Sequence, residues 1–149
     1  MTRPSFDSIF MDMAVSLSQR ATCERLHVGC VITSQDKTQV YSIGYNGNAH
    51  GLPNTCDSSE PGRCGCLHAE ENACIHCAAP REALKIVYVT VAPCKMCAKR
   101  IVNLGGVVCV KYVYPYRLSE GIDVLEAAEI KTRFMVGYKT QVPRFTPPA

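Results

Sequence analysis

At 149 residues the chain has the length of one ordinary domain, enough to bury about two-thirds of its unfolded surface, so it needs no metal merely to fold. Its hydrophobic content of 47% and charged content of 19% are globular proportions, and no apolar run is long enough for a helix to cross a bilayer. A net charge of +3 falls well short of the basic balance of a dedicated nucleic-acid binder.

The charge is uneven. Residues 1–94 carry seven Lys/Arg against nine Asp/Glu, or −2, and residues 95–149 carry nine against four, or +5. Such a rim attracts phosphorylated ligands, although a solvated surface explains any single lysine as well. No export-signal pattern follows Met1, so the ten cysteines are expected as reduced thiols in a cytoplasmic protein, several of them metal ligands.

Phe6, Ile9, Phe10, Met13, Ala14 and Leu17 follow the helical period and predict an opening amphipathic helix with that stripe in the core. Val28 to Thr33 and Gln39 to Tyr45 read as an antiparallel hairpin around the polar turn at 34–37. Periodicity stops from Gly47 to Leu67, and a loop of that length is usually functional. It holds Cys56, Cys64 and Cys66, with His50 nearby, which could close a structural zinc site with His50 or a helix cysteine as the fourth ligand; free thiols explain them equally well.

Helices at 69–79, 94–104 and 119–128 then alternate with strands at 86–90, 107–112 and 130–136. This alternation predicts an α/β fold, a mixed sheet with helices on both faces, the hairpin at one side and parallel strands at the other. One domain is expected over residues 1–137, with a Pro-rich irregular tail over 138–149. Cys74, His76 and Cys77 lie on an otherwise apolar helix and read as packing, as do Cys23, Cys30 and Cys109 beside core elements.

The chemistry concentrates in His68-Ala69-Glu70 and Pro93-Cys94-Lys95-Met96-Cys97. One imidazole and two thiolates make three soft ligands for zinc and leave a fourth position open, where a purely structural site would usually close itself. Cys94 and Cys97, three apart, share a face of the helix that Pro93 opens, and helix N-termini favour thiolates. On a helix, Glu70 would point about 200° away from His68, so it is expected beside the metal and not on it.

His-x-Glu followed by Pro-Cys-x-x-Cys is the signature of the zinc nucleobase deaminases. Together with Cys23 to Ile32, Gly44-Tyr45-Asn46-Gly47, Cys56-Asp57 and Tyr88-Val89-Thr90, it makes residues 5–135 resemble the cytidine/deoxycytidylate deaminase superfamily, and most closely its deoxycytidylate (dCMP) branch. The resemblance implies a three-layer αβα fold with a five-stranded mixed sheet. It implies zinc on His68, Cys94 and Cys97, Glu70 as proton carrier, and hydrolysis of dCMP to dUMP and ammonia for thymidylate synthesis. It further implies that the Ala69 amide holds the base carbonyl, Asn46 the sugar, Val28 the base and Tyr116 the nucleotide, although Asn46 reads equally as a turn residue supporting its loop.

Homohexamers regulated by dCTP and by dTTP with Mg2+ belong to the same implied set. Two alternatives stay open: a deaminase of another cytosine nucleotide (dCTP, a C5-modified dCMP), nucleoside or base, and a non-catalytic zinc module that binds nucleic acid.

Overall fold

The computed structural model describes residues 2–60 and 62–142. In chain order the elements are α1 (Phe6–Ser18), β1 (Gly29–Ser34), β2 (Val40–Tyr45), α2 (Ala69–His76), β3 (Lys85–Val91), α3 (Lys95–Leu104), β4 (Val107–Tyr114), α4 (Glu120–Ala127) and β5 (Lys131–Phe134). The strands form one five-stranded sheet in the order β2-β1-β3-β4-β5. β1 is antiparallel to both β2 and β3, whereas β3, β4 and β5 run parallel. The expected α/β fold with a mixed sheet and an N-terminal hairpin is therefore present. None of the described helices is long and apolar enough to cross a membrane.

Two core clusters, one on each face of the sheet, define the three layers. Because side chains alternate along a strand, Cys30, Ile32, Val87 and Val89 face Ala69, Ala73, Ala98, Ile101 and Leu125 of α2, α3 and α4, whereas Val31, Ile86 and Tyr88 face α1. β3 is buried along its whole length, as a central strand covered on both faces should be.

The inward face of α1 is rotated from the expected one. Phe10 and Ala14 are buried as expected and Met13 and Leu17 pack partly against the same cluster, but Met11, Val15 and Ser18 are buried in place of Phe6 and Ile9, which are exposed. The deciding contact is Gly29, where an added Cβ would lie 1.8 Å from the Ala14 carbonyl oxygen. The helix therefore seats its backbone on β1, and the neighbours of Ala14 and Ser18 become the core. α1 is apolar on more than one side, so periodicity alone did not select that stripe. α2 is also shorter than expected, ending at His76, and β5 shrinks to four residues.

The tail beyond β5 is irregular as far as it is described, and Tyr138 packs against the α1 cluster of its own chain. Its hydroxyl donates to Asp12. The expectation of irregular structure over 143–149 lies outside the described residues.

On the α1 face, Asp7 accepts hydrogen bonds from the Tyr88 hydroxyl (2.5 Å) and Lys111 (2.6 Å), and pairs with Lys37 at 3.0 Å. Burial acts to raise the Asp7 pKa, but these three partners together outweigh it and hold the carboxyl down to about 2. A depressed carboxyl contributes stability above its unfolded value of about 3.9 and loses that contribution as pH falls towards 2. Asp7→Asn is expected to cost about 2 kcal/mol at pH 7, a figure discounted for partial exposure but raised by the near-buried Lys111 left unpaired. Urea unfolding should show the gap to the parent protein closing below pH 3; an unchanged gap there would contradict the ion-pair account.

Candidate metal and catalytic site

Sheet topology brings the functional segments to one end. Because β1 is antiparallel to β3, with Cys30 opposite Val89, the start of β1 lies beside the end of β3; Gly29 faces Tyr45, the end of β2. Val28, Asn46, Val91 and Tyr114 therefore line the same cleft, outside the carboxyl ends of the parallel strands, where open α/β sheets place their ligands. The cleft has a volume of about 660 Å³ and is also lined by His68, Ala69, Glu70, Cys94 and Tyr116.

Both ligand-bearing helices start here. His68 is the N-cap of α2 and Cys94 the N-cap of α3, each with extended backbone. Pro93 thus stands one residue before the cap and not on the first helical position. The extended backbone at His68 also cancels the 200° offset expected from helical pitch, so His68 and Glu70 both line the cleft. Gly44 lets α2 approach β2 this closely, since a Cβ there would lie 2.3 Å from the Ala69 carbonyl oxygen.

His68 Nδ1 lies 3.2 Å from Cys97 Sγ and 3.6 Å from Cys94 Sγ, and the three donor atoms fall within 4.8 Å of one another. A tetrahedral zinc ion spaces nitrogen and sulfur ligands about 3.6 Å apart, so the residues present fit that ion. A hydrogen bond with the Cys97 thiol, followed by one with His68, pushes Cys94 down to about 3. Cys97, as the thiol partner of Cys94, is pushed up, with burial acting in the same direction. A hydrogen bond with Cys94 raises the His68 pKa against the effect of its burial.

Glu70 is 5% exposed, and burial lifts its carboxyl to about 7. A carboxyl near neutrality can accept and return a proton at working pH. Cys74 and Cys30, on the same side of the sheet, are pushed up chiefly by burial, which suits the packing role expected of them.

Sequence reasoning missed a brace between the two helix starts. Glu71 Oε1 accepts from the His68 backbone N–H at 3.0 Å, while its Oε2 lies 3.3 Å from Arg100 Nε on α3. One carboxylate thereby ties the His68 end of α2 to the helix carrying Cys97. A Glu three residues after a cap was the available signal.

Asn46 is buried, and its amide is engaged at both ends. Its Oδ1 accepts from Val28 N–H at 2.8 Å and its Nδ2 donates to the Leu26 carbonyl. It therefore pins the loop ahead of β1, leaving one N–H and one lone pair of its amide for a ligand.

Four cysteines form a second cluster. Cys23, Cys56, Cys64 and Cys66 bring their sulfurs within 4.8 Å of one another, with Cys23–Cys64, Cys23–Cys56 and Cys56–Cys66 at 3.9, 3.8 and 3.7 Å. Four thiolates on a tetrahedral zinc ion lie about 3.8 Å apart, whereas a disulfide would need about 2 Å. The fourth member is Cys23, which the sequence assigned to packing, and not His50, which is exposed and stands outside the group. The long loop folds back over the segment between α1 and β1 and meets a cysteine 33 residues before Cys56. Against burial, which would raise it, backbone hydrogen bonds from Arg25 and Leu26 lower the Cys23 pKa.

The family model of the cytidine and deoxycytidylate deaminase zinc-binding region matches residues 4–113. The chain belongs to that family. It is 35% identical to the deoxycytidylate deaminase of Schizosaccharomyces pombe over 145 residues, covering 88% of this chain but only 44% of the yeast protein. It is 34% identical to the deoxycytidylate deaminase of Mycobacterium phage D29, covering 77% of this chain and 98% of the phage protein. The crystal structure of the cyanophage S-TIM5 dCMP deaminase in complex with dCMP and dUMP superposes with a TM-score of 0.77 at 30% identity, covering 91% of this chain and all of that one. This chain thus spans less than half of the yeast relative and nearly all of the phage relatives.

Proposed function

We propose that this chain hydrolyses dCMP to dUMP and ammonia, with zinc held by His68, Cys94 and Cys97 and with Glu70 as the proton carrier. The observation that carries the reading is Glu70 itself: it is the only carboxylate among the described residues lining the cleft, it is buried, and its pKa is lifted to about 7 beside three soft donors. Kinship with the phage proteins, spanned almost end to end, supports dCMP as the substrate.

Zinc, when bound, supplies the Lewis acidity that brings a water molecule within reach of deprotonation near neutral pH. Glu70 accepts the proton of the water that attacks C4 and delivers it to ring N3. It then takes the proton of the new C4 hydroxyl and passes it to the amino nitrogen, so that the C4–N bond breaks, ammonia departs and the C4 carbonyl forms. The Ala69 backbone N–H holds the base carbonyl, Val28 walls the base, and Tyr116 closes the nucleotide side. Asn46 serves the sugar through its remaining N–H while fixing Val28.

The same reading places the enzyme in a reducing cytoplasm, supported by two thiol-bearing clusters whose donor atoms stand at metal-ligand spacing. Homo-oligomerisation, as a hexamer, belongs to the same reading. For regulation by dCTP and dTTP, Mg2+ would arrive on the nucleotide phosphates, since the two metal-type clusters among the described residues are built from His and Cys and not from hard oxygen ligands.

A second, structural zinc on Cys23, Cys56, Cys64 and Cys66 completes the proposal, supported by the tetrahedral sulfur spacing. Metal analysis is expected to find two zinc ions per chain in the parent protein and one in Cys66→Ser, with a lower melting temperature for the variant. One ion in both proteins would remove the second site.

Rates on dCMP, dCTP, CMP, deoxycytidine and cytosine in parallel test the substrate assignment. A preference for dCMP is expected. Preference for another member would move the substrate while keeping the chemistry.

A further inference from the structure

We propose that Cys23, Cys56, Cys64 and Cys66 form an oxidative modification site, where peroxide converts them reversibly into the disulfides Cys23–Cys64 and Cys56–Cys66. The disulfides follow from the sulfur geometry, with or without bound zinc. Only their effect on turnover rests on the deaminase reading above.

Distance sets the pairing. Cys56 Sγ lies 3.7 Å from Cys66 Sγ, and Cys23 Sγ lies 3.8 Å from that of Cys56 and 3.9 Å from that of Cys64. Four cysteines can pair in three ways, and only Cys23–Cys64 with Cys56–Cys66 draws both bonds from these contacts. A disulfide needs sulfurs about 2.05 Å apart, so each pair must close by about 1.7–1.9 Å. Cys56, Cys64 and Cys66 stand in the long loop between β2 and α2, and loop backbone yields to such a movement more readily than a helix or strand.

Each pair also joins an accessible sulfur to a neighbour that can resolve it. Cys56, Cys64 and Cys66 are partly exposed, whereas Cys23 is buried. This is the arrangement of a redox-sensing thiol. Cys97, in the other metal-type cluster, is fully buried.

In each pair the accessible sulfur attacks hydrogen peroxide. The O–O bond breaks, leaving a sulfenic acid and one water. The neighbouring thiol then attacks the sulfenic sulfur: the S–S bond forms, the S–O bond breaks and a second water departs. Each disulfide thus gives two electrons to one peroxide, which becomes two waters. If zinc sits on four thiolates, four protons come from solvent and the ion leaves as the two disulfides form. A dithiol reverses the change by thiol–disulfide exchange.

The loop transmits the contraction to the other cluster. Cys66 stands two residues before His68, and Leu67 between them is bridged to Gly47 by backbone hydrogen bonds of 2.8 and 3.1 Å. On the far side, Glu24 N–H donates to Cys56 Sγ at 3.3 Å, and Asp57 N–H donates to the Cys64 carbonyl at 2.7 Å. Drawing Cys66 towards Cys56 therefore pulls on the segment that caps α2. Cys23, Cys64 and Cys66 also line the cleft that His68 and Glu70 share.

The test treats zinc-loaded protein with hydrogen peroxide, alkylates the remaining thiols, and maps disulfides in unreduced peptides while dCMP turnover is read on the same sample. The two named disulfides and a loss of four hydrogens in the intact mass are expected. Turnover should fall about 100-fold, the scale for displacing a catalytic group by about 1 Å, and recover with dithiothreitol.

A Cys94–Cys97 disulfide with the loop cysteines still alkylated, or loop cysteines paired at random, would overturn the site. Both named disulfides with turnover unchanged would overturn the link to His68. A protein that forms both disulfides yet never turns over dCMP, even when reduced, would uphold the site and defeat the deaminase reading.

Discussion

Replacing Glu70 by Gln is expected to lower kcat on dCMP by about a thousandfold or more while leaving fold and zinc content unchanged. Gln matches Glu in shape, so the cleft and the start of α2 keep their packing. What disappears is the group that takes a proton from water and gives one to the ring and one to the leaving nitrogen. Nothing replaces it, because no other carboxylate among the described residues lines the cleft. Stability should hold or rise slightly, since burial already penalises the Glu70 carboxylate enough to lift its pKa to about 7. Steady-state rates, read beside zinc content and melting temperature, check the claim. Activity within tenfold of the parent protein would show that another group carries the proton.

Cys94→Ala is expected to lose both zinc and turnover. Cys94 supplies one of only three donors, and its pKa of about 3 makes it the thiolate already prepared for the metal. The remaining His68 and Cys97 pair would bind zinc orders of magnitude more weakly, because the binding free energy is shared among few ligands. Cobalt substitution gives a readout independent of activity: the sulfur-to-cobalt charge-transfer band should weaken sharply in the variant. Retention of zinc through dialysis against a chelator would show that the ligand set is wrong. Together the two substitutions separate the roles, with Glu70 changing chemistry without metal and Cys94 changing both.

The parts of this architecture that depend on local spacing were legible in the sequence. His68, Cys94 and Cys97 belong to short motifs at helix starts, and the alternation of helices and strands implied a mixed sheet with its parallel strands at one side. Features that depend on distant segments meeting were not. Cys23 joins the sulfur cluster because a long loop folds back onto it, and nothing in the spacing from Cys23 to Cys56 announces that return. The inward face of α1 is chosen by the missing side chain of Gly29, a contact that helical periodicity does not encode. Glu71 and Arg100 likewise meet only because α2 and α3 begin at the same end of the sheet. The role of Asn46 was divided between turn and ligand contact, and its two backbone partners show how much of its amide the loop consumes.

The central claim is tested most directly by incubating zinc-loaded protein with dCMP and measuring dUMP and ammonia together, before and after removal of the metal. One ammonia per dUMP, abolished by chelation and restored by zinc, is the expected result. No dUMP from a protein confirmed to hold zinc, or dUMP formation that survives complete removal of zinc, would contradict the account.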